Sequence, residues 1–199
     1  MKRLVCLALL LPLAFAFADD SPFLEGTEKI ELKEPLLRVT RPAKEWAFLD
    51  LAVMKKKALE KAGSAKGPVE DMYDKLKVQL EYSSAGADFF VWAVTDQRAD
   101  LTPDKLGGEI LEQTRGFFKD KGKVTGNAKA KLGKLDAWGI EVEGALASTG
   151  TEMDVCKLVV YRPDDKVVFV LSLEVPKDKA AQVKKDKKKL FSTDCVKIQ

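Results

Sequence analysis

A chain of 199 residues, close to half apolar and one third charged, is composed for one folded domain and not for a disordered polymer. Its 34 Lys and Arg against 31 Asp and Glu leave a net charge of +3, too balanced for a general electrostatic hold on nucleic acid. It contains no histidine, which excludes Ser-His-Asp and Cys-His hydrolase designs and every His-based zinc site.

The chain opens in three parts. Met1-Lys2-Arg3 is positive, Leu4 to Phe17 is apolar and uncharged, and Ala16-Phe17-Ala18 offers small residues where a signal peptidase reads. The apolar run is shorter than the ~20 residues a membrane span takes, and Pro12 interrupts it. Cys6 stands too early for a lipoprotein cleavage point. The expectation is a signal peptide over 1–18, cut between Ala18 and Asp19, and a secreted or periplasmic protein. Without Lys2 and Arg3 the balance is 32 basic against 31 acidic side chains, so any ionic partner must be held by a local patch. Cys156 and Cys195 remain, an even number in an oxidising compartment, and are expected to form one disulfide worth about 2–4 kcal/mol.

Residues 19–35 are polar and weakly patterned, and read as an extended arm ahead of a single domain over 36–199. Leu36 to Thr40 is a short strand closed by Arg41-Pro42. Leu51 to Ala62 places Leu51, Met54, Ala58 and Ala62 on one helical face, with Gly63 as a stop. Ser64 to Pro68 reads as a flexible connection. Leu76 to Tyr82 alternates as a half-buried strand. Phe89 to Thr95 is apolar on both faces, so layers are expected above and below it.

Thr102-Pro103-Asp104 begins a helix that Gly122 ends, with Leu106, Ile110, Gln113 and Phe117 at helical spacing. Lys123 to Gly133 reads as a turn or short hairpin. Three strands follow, over Leu135 to Leu146, Met153 to Tyr161 and Val167 to Val175. Pro176 leads into a Lys-rich helix, Lys177 to Phe191. Helices over an antiparallel sheet make the fold class α+β.

Several segments carry a resemblance. They are Leu37 to Pro42 with Trp46, Leu132 to Trp138, Val159 to Arg162 with Val167 to Leu173, and Lys184 to Cys195. In this order they resemble the PsbP-like superfamily, the Mog, PsbP, DcrB and LpqN type. The resemblance implies an α/β/α sandwich with a central antiparallel sheet covered by helices. It implies no single activity, because members bind different partners and most are not known enzymes. No residue here carries a motif that would transfer metal or partner binding.

Three features invite a functional reading. Lys177, Lys179, Lys184, Lys185, Lys187, Lys188 and Lys189 form a candidate patch for an anionic surface, set against the plain reading of a solvated helix face. Glu141 and Glu143 share one strand face, a spacing that inverting carboxylate chemistry can use and that an exposed polar sheet face also gives. Trp46, Trp92 and Trp138 could serve as sugar platforms or as core, with Trp46 standing at a loop. No P-loop, dinucleotide fingerprint or calcium loop is present.

The leading expectation is a non-enzymatic binding or accessory module that recognises a protein or envelope component. It needs no cofactor and no membrane span, and its lysines allow peripheral contact with an anionic surface. The alternative is a small-ligand carrier with a pocket between sheet and helix, lined by Phe89, Trp92 and Phe117; with Trp46 these are the candidate ligand or partner aromatics. A carboxylate- or Lys-dependent enzyme ranks third.

Overall fold

The computed structural model describes residues 22–198. The signal-peptide reading and its cut after Ala18 lie outside these residues. Ten strands and four helices follow one another as β1 (Lys29–Lys33), β2 (Leu36–Thr40), β3 (Ala47–Phe48), α1 (Leu51–Lys61), α2 (Lys66–Lys75), β4 (Leu76–Tyr82), β5 (Ala87–Thr95), α3 (Pro103–Arg115), β6 (Lys123–Leu132), β7 (Leu135–Ala145), β8 (Glu152–Arg162), β9 (Val167–Pro176), α4 (Ala180–Leu190) and β10 (Val196–Ile198).

Seven strands form one antiparallel sheet in the order β3-β4-β5-β9-β8-β7-β6. After β5, α3 carries the chain across a face of this sheet to its far edge. The meander β6 to β9 then returns and pairs β9 with β5. The smaller sheet β1-β2-β10 stands apart from the large one.

The apolar pattern explains the layers. On β5, Phe89, Val91 and Ala93 pack into a core shared with Val183 and Leu190 of α4, Leu37 and Val39 of β2, and Val196 of β10. Trp92 belongs to a second core on the opposite face, shared with Met54 and Ala58 of α1, Val69 and Tyr73 of α2, and Leu106 and Ile110 of α3. Helices α1–α3 thus cover one face of the large sheet, and α4 with the small sheet covers the other. A strand between two such layers is apolar on both faces, as β5 and β9 are except at Asp88, Ser172 and Glu174.

Four segments differ from the sequence expectation. The connection after Gly63 winds into α2, because Pro68 falls in its first turn, where a missing N–H costs nothing, and Val69 and Tyr73 bury one face four residues apart. The arm is folded in. Its β1 pairs with β2, and Phe23 bridges Leu49. α3 stops at Arg115, capped by Gly116, because Phe118 leaves the helix to bridge Leu146. Residues 123–132 form a full edge strand, whose lysines face water where a further strand would otherwise add.

The disulfide expectation is corrected. Cys156 and Cys195 are both free and buried. The Cys195 thiol donates to the Thr40 carbonyl at 2.6 Å, and Cys156 on β8 lies beside the Lys187 ammonium. Each sulfur has its own polar partner, and burial pushes both thiols up, Cys195 to about 12.

Candidate functional site

The hairpin β6–β7 and the start of α3 build a cleft. Gly133, at φ +62°, closes a two-residue turn between Leu132 and Leu135. Counting back from it pairs Lys131 with Asp136, Lys129 with Trp138 and Asn127 with Ile140. Ile140 sits in the α3-side core, so these paired side chains share the α3 face. The first turn of α3 closes the other wall with Thr102, Pro103 and Asp104. The result is an open cleft of about 530 Å³, within the range that small ligands occupy.

Each wall is fixed. The Trp138 indole N–H donates to Asn127 Oδ1 at 2.5 Å, and part of the ring lies against Gly107 of α3. The ring is half-buried and lines the cleft. The Thr102 hydroxyl and the first backbone amides of α3 hold the Asp104 carboxyl below its usual range, and the nearby Lys129 ammonium adds to this. Asp104 thus sets a carboxylate in the first turn of α3, beside the backbone amides of Asp104 and Lys105. Lys131 and Asp136 stand 3.8 Å apart. A second cleft, about 420 Å³, lies between the β1–β2 turn and the start of β9, with Lys77 and Arg162 among its walls, and has no aromatic ring.

The Lys-rich helix and the Glu pair explain one another. Lys187 Nζ stands 2.8 Å from Glu141 Oε1, and Lys177 Nζ stands 3.2 Å from Glu143 Oε2, with Lys123 on the other Glu143 oxygen at 3.1 Å. The Lys123 and Lys177 ammoniums hold the Glu143 carboxyl below its usual range. The two carboxylates are ion-pair anchors for the α4 segment, and Glu143 also for Lys123 of β6. Lys179 pairs with Asp178, and Lys189 donates to the Pro42 carbonyl. Lys184, Lys185 and Lys188 remain on the exposed side.

The predicted aromatics do not gather. Trp46 is fully buried, and its N–H donates to Asp186 of α4 at 3.0 Å. Phe89 and Trp92 belong to opposite cores, so with Phe117 they cannot line one pocket. The carrier lining is corrected accordingly. Phe89 and Trp92 are core, Phe117 is half-buried near the end of α3, and the tryptophan that meets a cleft is Trp138.

A polar stripe crosses the centre of the large sheet on its α1–α3 face. Gln79 of β4 donates to Asp88 of β5 at 3.0 Å, Ser172 of β9 donates to Glu174 at 3.2 Å, and Lys157 of β8 donates to Ser172 at 3.0 Å. Burial pushes Glu174 up and Lys157 down, each partly offset by the other's charge. Burial also pushes Asp88 up to about 7, against its bond from Gln79 and reinforced by Glu81 and Glu174. A lysine on a serine hydroxyl can activate a nucleophile. Ser172, however, has no exposed surface, and neither cleft reaches it. Among the described residues, no three His, Cys, Asp or Glu stand together as a metal set, and no helix is long and apolar enough to cross a membrane.

The sequence matches no protein-family model and no curated protein. Solved structures do match. LpqN of Mycobacterium tuberculosis, described as involved in cell envelope biogenesis, is similar at 15% identity over 86% of this chain and 89% of its own, with a TM-score of 0.54. The cyanobacterial PsbP (CyanoP) of Synechocystis is similar at 9% identity over 94% and 99%, with a TM-score of 0.50. The chain has the PsbP-like α+β fold. At these identities the likeness is one of fold.

Proposed function

We propose that this chain is an exported, non-enzymatic accessory module that recognises an envelope component or protein through the cleft between α3 and the β6–β7 hairpin. One observation carries the reading. Lys157 and Glu174, whose protonation burial perturbs, are buried in the large sheet away from both clefts, whereas the open cleft between α3 and the hairpin presents a fixed ring among exposed charges. That is a surface suited to holding a ligand, and its one shifted group, Asp104, is held in the ionised form. The three-part leader and the fold shared with an envelope-biogenesis protein support the compartment.

The test has two arms. Fractionation with N-terminal sequencing should find the chain outside the cytoplasm and starting at Asp19. Immobilised mature chain should retain an envelope component that the Lys129→Glu variant, altered at an exposed cleft residue, does not retain. Cytoplasmic residence, or retention indifferent to Lys129→Glu, would overturn the proposal.

A further inference from the structure

We infer that the α3–hairpin cleft binds a neutral saccharide, stacked on Trp138 and hydrogen-bonded by Asp104, Lys129 and Asp136. This deepens the recognition reading and rests on it. The chain has three tryptophans, and the packing separates them. Trp46 and Trp92 are core, and Trp138 alone lines a cleft. An indole face is an apolar, electron-rich plane that suits the C–H face of a pyranose ring. Here it is held in advance by Asn127 at its N–H and by Gly107 against the pyrrole side. A ring already fixed loses little freedom when a ligand arrives, which lowers the cost of stacking on it.

Charge selects among ligands. The walls carry two ammonium groups, Lys129 and Lys131, and two carboxylates, Asp104 and Asp136. An anion would be drawn by one pair and repelled by the other, and a cation likewise. The start of α3, which could hold an anion through its free amides, is taken by Asp104. Hydroxyl groups suit both signs at once, because each can donate to a carboxylate and accept from an ammonium. A polyhydroxylated, uncharged ring therefore matches the whole wall.

The experiment is a titration of the nitrogen-labelled mature chain followed by NMR, in which the Trp138 indole N–H is the reporter. The neutral probes are cellohexaose, maltohexaose and chitohexaose. The ionic probes are hexagalacturonate and inorganic phosphate. At least one neutral hexasaccharide should shift the Trp138 signal saturably, and neither ionic probe should bind as tightly. Trp138→Ala, read through the backbone amides of the β6–β7 hairpin in place of the lost indole, and, at an exposed position that spares the fold, Lys129→Ala should each weaken binding about tenfold. Silence with all three neutral sugars, tighter binding of an ionic probe, or affinity unchanged in both variants overturns the inference. If a protein is retained in a Lys129-dependent way while no sugar binds, the recognition module stands and the glycan falls.

Discussion

Gly107 of α3 lies so close to Trp138 of β7 that a Cβ added there would stand 2.2 Å from Cδ1 and 2.5 Å from Cγ of the indole. Gly107 is thus a contact that seats the helix on the hairpin, against the ring that lines the cleft. In an ordinary helix interior, Gly→Ala stabilises by about 1 kcal/mol. Here the sign should reverse. Gly107→Ala is expected to destabilise by about 1–3 kcal/mol, because either the ring or the helix must shift. Urea unfolding measures it, and adding Trp138→Ala should restore the ordinary gain. A stabilised single variant would mean that α3 does not rest on the indole.

Strands with one buried and one wet face, or two buried faces, announced themselves by period, and β4, β5, β7, β8 and β9 fall within a residue or two of where the pattern put them. β6 did not, because an edge strand with both faces mostly in water has no apolar period to read. Missing β6 meant missing the cleft, since the pairing of Lys129 with Trp138 follows only once the Gly133 turn is recognised as a hairpin. α2 hid behind Gly67-Pro68, a pair that reads as a break and here opens a helix. The disulfide rested on parity, and parity says nothing about where two thiols point. The opposed faces of Phe89 and Trp92 were countable from the sequence, because three residues along a strand reverses the side.

The Lys157–Ser172–Glu174 stripe makes a second prediction. Lys157 and Glu174 stand 3.9 Å apart with Ser172 bridging them, all nearly free of solvent. Removing one charge leaves the other buried and unpaired. Lys157→Met should therefore cost about 3–5 kcal/mol, whereas Lys157→Met with Glu174→Leu should cost far less. A double-mutant cycle by denaturant unfolding reads the difference. Additive losses would show that the two groups do not sense each other.

The thiols give a third. Both are pushed up by burial, Cys195 to about 12, so both are protonated near neutral pH and shielded from reagent. A chain beginning at Asp19 should react with a thiol reagent very slowly when native. Two equivalents should react at once in denaturant without any reductant. An unfolded chain that needs reductant before its thiols react would restore the disulfide.

Asp88 sets the direction of a pH effect. Its carboxyl is raised from 3.8 to about 7 in the folded chain, chiefly by burial. The folded state therefore holds a proton that the unfolded state has released across that interval. Folding stability from this group is complete below 3.8 and is lost as pH rises through about 7. Glu174, also raised by burial, contributes with the same sign, and its charge is one of the two that raise Asp88. Asp88→Asn keeps an acceptor for the Gln79 amide and removes the titration. The variant should gain stability over the parent by about 1–2 kcal/mol above the interval and gain nothing below it. Its stability profile should be flatter between the two limits, with the residual slope carried by Glu174. Thermal unfolding across that range checks this. Parallel curves for parent and variant would show that burial does not raise the Asp88 carboxyl.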